Sequence, residues 1–234
     1  CQQAGNVVDA TMRTYREAMK GLLPTPSKSH YTFNLRDFSR VVQGVLLQAP
    51  SGEFANKSSV MRLWTHEALR VFGDRLTDDN DRKWMCAHAA TMCKEIFRCD
   101  FQSEFEHIRP ADETETGYGT LRRLFWGDYM TPADEDERPY AEVPDLQQLQ
   151  ERTEEALSDF NSASKKPMEL VMFMFAIEHV SRIARVLRMP GGNALLVGVG
   201  GSGRQSLSIL ATEMAGYQLF RIEITKSYGM TEWR

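Results

Sequence analysis

The 234-residue chain contains only four cysteines, and no two of them form a C-x-x-C pair. Cys86, Cys93 and Cys99 fall in or just beyond one predicted helix, at spacings of seven and six residues. A zinc site or a disulfide framework requires closely paired or regularly spaced ligands, which this pattern lacks. We therefore expect buried thiols in a reducing compartment.

Long apolar runs, strong net charge and a signal peptide are also missing. The longest apolar stretch, around residues 168–177, is interrupted by Glu178 and Arg182, so no membrane span is expected. The net charge of −4 gives no general attraction for nucleic acid or for an anionic membrane surface. We expect neither among the partners. The chain opens on Cys1 and stops at Arg234 in mid-pattern, which favours an internal excerpt of a longer protein.

Apolar periodicity predicts that the first hundred residues are entirely α-helical. Helices are expected over 5–23, over 60–72 and over 81–97, each with an apolar stripe at helical spacing. Another helix is expected after Asn34, a residue type that caps helix N-termini. The prolines at 24 and 26 end the first helix.

The second half has a different pattern. Residues 106–145 are rich in glycine and proline and contain the acidic run 134–137, which indicates an irregular, solvated connector. A polar helix is predicted over 145–161. An apolar helix is predicted over 168–188, and its expected buried side chains are Leu170, Phe173, Met174, Ile177, Ile183 and Leu187. A strand then leads into a glycine-rich loop, and a second strand is predicted over Gln218–Ile224, which together would begin a parallel nucleotide-binding sheet.

The glycine-rich loop is the most informative feature of the chain. It fits the phosphate-binding pattern G-x-x-x-x-G-K-[ST] with Gly198 and Gly203 at the two glycine positions. Glycines let the backbone approach a phosphate, and the following helix directs its free amides and its positive dipole end at the anion. The predicted nucleotide-binding residues are Gly198, Gly200, Gly201, Ser202, Gly203, Arg204, Gln205 and Ser206.

The two chemical side chains of the loop are altered. Arg204 stands at the lysine position and can still pair with phosphate, while Gln205 stands at the Ser/Thr position and cannot supply a hydroxyl to Mg²⁺. Ser206 remains as the candidate Mg²⁺ ligand. No apolar strand ending in carboxylates follows the loop, so the groups that hold Mg²⁺ and orient water are absent from this sequence. The alternative interpretation is a strand-to-helix turn that binds no ligand.

Two stretches resemble a known family. The run Gly198-Val-Gly-Gly-Ser-Gly-Arg-Gln-Ser-Leu207, preceded by Pro190-Gly-Gly-Asn-Ala-Leu-Leu196, closely resembles the phosphate loop of the fourth AAA+ module of axonemal dynein heavy chains. The run from Ile222 to Tyr228 is similar to the next strand of that module. The run from His30 to Gly44 is similar to the small helical subdomain of the third module. The resemblance covers nearly the whole chain and is weakest between 100 and 120.

The resemblance implies a mixed α+β fold. Residues 1–115 would form the all-α lid subdomain of the third module. Residues 116–234 would form the incomplete N-terminal part of the P-loop α/β large subdomain of the fourth.

The resemblance also implies two further site elements. Arg36 aligns with the sensor arginine that reaches the nucleotide of its own module; the alternative is a surface arginine paired with Asp37 or Asp74. Val143 and Pro144 lie in a segment similar to the one that covers the adenine in the fourth module.

In that family the heavy chain is a minus-end-directed microtubule motor that hydrolyses ATP mainly at its first module. The resemblance therefore implies a regulatory segment that binds ATP or ADP with Mg²⁺, in a motor of the cytoplasm, the cytoskeleton and the ciliary or flagellar axoneme. Implied partners are the other AAA+ modules, microtubules, and intermediate and light chains. The isolated chain, without Walker B carboxylates, is expected to be inactive. Two alternatives remain: a free-standing P-loop kinase or NTPase, which would need a lysine at position 204, and a structural helical interaction module with a degenerate, non-hydrolysing loop.

Overall fold

The computed structural model describes residues 2–48, 56–222 and 229–230, and this part of the chain is mostly helical. Four helices make up most of the first half: α1 (Gln2–Gly21), α2 (Leu35–Leu46), α3 (Lys57–Ala68) and α4 (Asp79–Met92). One π-helical turn extends α3 over Leu69–Gly73, and another extends α4 over Cys93–Phe97. The all-α prediction for this half is confirmed.

The start of α2 shows why the sequence predicted it. The Asn34 side chain accepts a hydrogen bond from the Arg36 amide at 2.8 Å, and the Asp37 carboxylate accepts one from the Asn34 amide at 3.0 Å. Each side chain satisfies an amide that the helix leaves without a partner, which is the capping-box arrangement. The predicted cap at Asn34 is confirmed.

The predicted connector is more ordered than its composition indicates. It contains α6 (Tyr118–Arg122) and two strands, β1 (Phe125–Gly127) and β2 (Ala141–Val143), and the short helix α5 (Phe101–Glu104) lies just before it. The strands pair antiparallel, with Phe125 opposite Val143. Strands of three residues are too short to show an alternating pattern, so these two strands could not be predicted from the sequence.

The second half contains α7 (Leu146–Ala163), α8 (Met174–Arg188) and α9 (Arg204–Met214). The prediction that α8 begins at 168 was wrong, since Phe173 is its N-cap residue. The Phe173 side chain therefore lies outside the buried stripe and is 58% exposed, contrary to expectation. Ile177 and Ile183 are buried as predicted, while Leu170, Met174 and Leu187 are half-buried.

The strands predicted on either side of the glycine loop do not form among the described residues. Residues 192–199 run without strand pairing, and Leu195 and Val197 are 89% and 86% exposed. Residues 218–222 also do not form a strand, and the rest of that predicted strand lies outside the described residues. A strand exists only when a neighbour supplies its hydrogen bonds, and no neighbouring strand of this sheet is described. The phosphate-loop helix is formed, so the α/β part of the fold is present only in part.

The buried apolar residues form two clusters that share the β1–β2 hairpin. The first cluster joins α1–α6, and the second joins α7–α9. Successive strand residues point to opposite faces, so Phe125 packs into the second cluster and Trp126 into the first. The hairpin is therefore a common wall between the two clusters.

Of the three cysteines within the described residues, Cys93 is buried, while Cys86 and Cys99 are half-buried. Cys86, Cys93 and Cys99 are free thiols, and burial raises the pKa of Cys86 to about 11. Cys1 lies outside the described residues. Within the described ranges, no helix is long and apolar enough to cross a bilayer.

Candidate functional site

The backbone of the glycine loop has the conformation that a phosphate cradle needs. Gly201 and Gly203 have φ angles of +77° and +75°, in the left-handed region that other residues adopt only at a cost. The Ser202 amide donates to the Val199 carbonyl at 3.4 Å and closes the turn. The loop thus turns within a few residues and delivers the chain directly into α9.

The N-terminus of α9 has no side-chain cap. Its N-cap residue is Gly203, which has no side chain to accept hydrogen bonds from the first helical turn. Free amides and the positive end of the helix dipole therefore coincide at the glycine loop, which is the arrangement that binds an anion. The predicted loop residues from Gly198 to Ser206 are brought together in this one turn.

Arg204 lies back across the loop. Its Nη2 donates to the Val199 carbonyl at 3.1 Å, and its Nη1 donates to the Leu196 carbonyl at 3.4 Å. Arg204 is half-buried, and its side chain lies against the loop backbone at Gly198. It has more donors than these two carbonyls occupy, so pairing with a phosphate oxygen is compatible with this placement.

The loop fits a phosphate better than it fits a dedicated metal site. Gln205 is exposed, and Ser206, half-buried on the first turn of α9, is the only hydroxyl at the predicted Mg²⁺ position. Among the described residues, no group of three metal-ligating side chains is present. Mg²⁺ usually keeps several waters and binds through nucleotide phosphates plus one or two protein oxygens, so Ser206 alone would hold it with the phosphates.

The opposite end of α9 is held by a residue that sequence reasoning missed. Arg138 donates from Nη2 to the Met214 carbonyl at 2.7 Å and from Nη1 to the Ala215 carbonyl at 2.9 Å. It also donates to the Asp128 carbonyl at 3.3 Å. Its position directly after an acidic run gave no signal of this role, because the contact spans 76 residues of sequence.

Arg36 is exposed near the start of α2. The two carboxylates proposed as its surface partners are engaged elsewhere: Asp37 contacts Arg75 at 2.6 Å, and Asp74 contacts Arg182 at 3.3 Å. No ion pair joins Arg36 to Asp37 or Asp74 among the described residues. Its role as a sensor arginine and the alternative of a surface arginine both stay predictions.

Only part of the predicted adenine-side segment is open to a ligand. Val143 is 4% exposed and packs in the second core cluster, whereas Pro144 is exposed. Asp145 caps α7 by accepting a hydrogen bond from the Gln147 amide at 2.9 Å. The adenine contact of Val143 and Pro144 stays a prediction, with Pro144 as the accessible member.

A buried ionic cluster joins the two halves of the chain. Glu67 on α3 is fully buried and accepts hydrogen bonds from Arg185 Nε at 2.8 Å and from the Tyr140 hydroxyl at 2.7 Å. His66 Nδ1 lies 3.1 Å from the same carboxylate. Gly44 on α2 leaves space for the Glu67 side chain, because a methyl group at that position would collide with the Glu67 carboxylate.

Burial and neighbouring charges shift the pKa values of Glu67 and His66. Burial by itself would raise the pKa of Glu67, but the positive charge of Arg185 and the hydrogen bond with His66 outweigh it and lower that pKa. Burial lowers the pKa of His66 to about 4, so its imidazole is neutral at physiological pH. Glu67 and Arg185 therefore form the charged pair that connects α3 to α8.

Two family models match the ends of the chain. Residues 1–82 match the dynein heavy chain ATPase lid domain. Residues 168–234 match the P-loop containing dynein motor region D4.

Similar full-length proteins match the whole chain. Human dynein axonemal heavy chain 12 is 50% identical over 229 residues, which is 97% of this chain and 7% of the relative. Human dynein axonemal heavy chain 3 is 48% identical, and mouse dynein axonemal heavy chain 1 is 42% identical, each over 97% of this chain and 5% of the relative. The chain thus spans less than a tenth of the length of these relatives.

Proposed function

The chain belongs to the axonemal dynein heavy chain family, and from this we propose that it is a regulatory ATP- or ADP-binding segment of such a motor. Residues 1–115 would be the lid of the third AAA+ module, and residues 116–234 would begin the large subdomain of the fourth. The complete protein would be a minus-end-directed ATPase of the ciliary or flagellar axoneme. Its partners would be the other modules of the same chain, microtubules, and intermediate and light chains.

One observation carries the nucleotide-binding proposal. The uncapped N-terminus of α9 follows two glycines with positive φ, so the loop amides have no side-chain acceptor from the N-cap. We propose that the amides from Gly200 to Gln205 bind the phosphates and that Arg204 supplies the charged partner. Mg²⁺ would be held by the phosphates and the Ser206 hydroxyl.

The Arg204→Ala variant should bind nucleotide about 1.5–3 kcal/mol more weakly, which is the contribution of a hydrogen bond to a charged group. The measurement is calorimetric titration of ATP and ADP into a segment extended through the whole fourth module. Arg204→Lys is the matched control and should keep most of the affinity, because lysine is the residue of the standard motif. Equal affinities for the parent and Arg204→Ala would remove Arg204 from the site.

The 234-residue chain by itself should not turn over ATP. It has no Walker B carboxylate to hold Mg²⁺ and orient water, and no neighbouring module to supply an arginine finger. Phosphate release would be measured against a protein-free blank. Release above that blank which disappears in Gly203→Val would contradict this prediction.

We also propose that the segment transmits the state of one module to the next. Arg36 lies on the lid of one nucleotide site and Arg204 on the loop of the next, while the Glu67–Arg185 pair joins the two parts. Movement of the lid would then carry the following subdomain with it as a rigid body.

In a complete motor, Arg36→Ala should change microtubule release or gliding speed and leave nucleotide affinity at the fourth module nearly unchanged. The physical reason is that Arg36 belongs to the third module's lid and is exposed on the described surface. Arg16→Ala, another exposed arginine of the same half, is the matched control. If gliding and release rates match the wild type in both variants, Arg36 has no regulatory role and is a surface residue.

A structural module with an empty loop is the second candidate function. It is favoured by the contacts of Arg204 with the Leu196 and Val199 carbonyls, which close the loop on itself. Under this alternative, neither the parent nor Arg204→Lys would bind nucleotide in the calorimetric titration.

A further inference from the structure

A polar pocket, made by residues other than those of the glycine loop, lies where the two halves of the chain meet. Its volume is about 470 Å³, within the range of small-molecule sites. Its walls come from α2, from the π-helical turn after α3, and from the end of α8 with the turn that follows. Four arginines line it: Arg40, Arg70, Arg75 and Arg185.

Arg40 and Arg75 compete for the same carboxylate, that of Asp37. Arg75 lies 2.6 Å from Asp37, while Arg40 lies 3.6 Å from it and keeps a side chain that is 59% exposed. Asp37 also accepts the Asn34 amide at the start of α2. Arg40 is therefore only loosely held and can turn towards a ligand in the pocket.

Arg70 shares its carboxylate with another arginine, whereas Arg185 has a carboxylate of its own. Arg70 contacts Asp74 at 3.2 Å, but Asp74 also contacts Arg182 at 3.3 Å. Arg185 is neutralised by Glu67. Four lining arginines thus share three carboxylates, and one of those carboxylates serves a fifth arginine, so the pocket wall carries excess positive charge.

Arg70 provides an independent sign of a missing acceptor. Its side chain is only 5% exposed, and its Nε has no hydrogen-bond partner among the described residues. Buried donors are usually satisfied in native proteins. The Nε atoms of Arg123, Arg138, Arg152 and Arg182 also have no partner among the described residues, but of these five arginines only Arg70 lines the pocket. Burial lowers the pKa of Arg182; the negative charge of Asp74 opposes this shift and the positive charge of Arg70 adds to it.

We propose that this pocket binds a phosphate group, either as inorganic phosphate or as a small phosphate ester. Guanidinium groups match phosphate oxygens with paired hydrogen bonds, and the excess charge favours a dianion. Val186 and Pro190 form an apolar part of the wall, against which the organic portion of an ester would pack. The site is separate from the glycine loop and does not depend on nucleotide binding there.

The test is calorimetric titration of inorganic phosphate and of AMP into the Gly203→Val form of the 234-residue chain, in which the glycine loop is disabled. Arg40→Ala is introduced into that form, because Arg40 is exposed and its loss should leave the fold intact. Arg16→Ala, an exposed arginine on α1, is the control for the same loss of charge. Helical circular dichroism checks the fold of each variant, and Gly203→Ala serves as a second loop-disabled form.

We expect one saturable site in the loop-disabled chain, weakened at least roughly tenfold by Arg40→Ala and unchanged by Arg16→Ala. Tighter binding of AMP than of phosphate would identify the ligand as an ester, and equal or weaker binding would identify free phosphate. Phosphate binding that vanishes with Gly203→Val, or that is equal in Arg40→Ala and Arg16→Ala, would overturn the proposal. A failure of ATP to bind the glycine loop would not change the expected phosphate binding in the pocket. The proposal for the glycine loop and the proposal for the pocket can therefore fail independently.

Discussion

Replacing Arg185 with alanine should lower the free energy of unfolding by about 3–5 kcal/mol, the cost of leaving one partner of a buried ion pair alone. Glu67 is fully buried, and Arg185 is the cation that neutralises it. The Tyr140 hydroxyl would still donate to Glu67, but a neutral donor does not compensate a buried charge. Urea denaturation of the parent chain and the variant measures the difference.

Arg188→Ala is the matched control on the same helix. Arg188 contacts Asp128 at 3.4 Å with a side chain that is 44% exposed, so its loss should cost less than about 1 kcal/mol. A double variant, Glu67→Gln with Arg185→Met, should recover much of the stability because it removes both charges. Similar losses for Arg185→Ala and Arg188→Ala would show that the buried pair has no special role.

The Gly203→Val variant should bind ATP or ADP at least roughly a hundredfold more weakly than the parent. A β-branched residue at a φ of +75° is strained by more than the 1–2 kcal/mol typical of left-handed non-glycine residues, so the turn must open. Opening the turn misdirects the amides of α9, and each lost hydrogen bond to a charged phosphate costs about 1.5–3 kcal/mol. The measurement is the calorimetric titration of the segment extended through the fourth module.

Gly200→Ala is the control within the same loop. Gly200 does not have a positive φ, and a methyl group there meets no atom within 4 Å, while its amide is kept. Affinity should therefore change less than about threefold in Gly200→Ala. Equal, large losses in both variants would mean that any substitution disrupts the loop, and equal, small losses would place the phosphates elsewhere.

Features that depend on residues close together in the sequence could be predicted from it. The cap at Asn34 depends on residues within three positions, and the glycine loop depends on its own backbone freedom, so both could be predicted. Which residues of α1 would be buried was harder to predict. Its buried residues are mostly small, among them Ala10, Thr11 and Thr14, whereas the large Val8 is 46% exposed.

The features that join distant parts of the chain could not be predicted. Glu67 and Arg185 lie 118 residues apart, and nothing in either local pattern indicates a buried pair. The strand expected just before the glycine loop has the right composition, but strand formation depends on neighbours that are not among the described residues. The same dependence explains why β1 and β2, each held by the other, were hidden inside a segment that looked irregular.

Helix α9 has a mechanical consequence because both of its ends are engaged. Its 11 residues form a stiff rod about 16 Å long, with the glycine loop at one end and the Arg138 guanidinium at the other. Arg138 also holds the Asp128 carbonyl, just after β1, in the wall that the two core clusters share. If α9 shifted along its axis when its N-terminus gains or loses an anion, Arg138 would transmit the shift to the β1–β2 hairpin. The packing of both core clusters would then change.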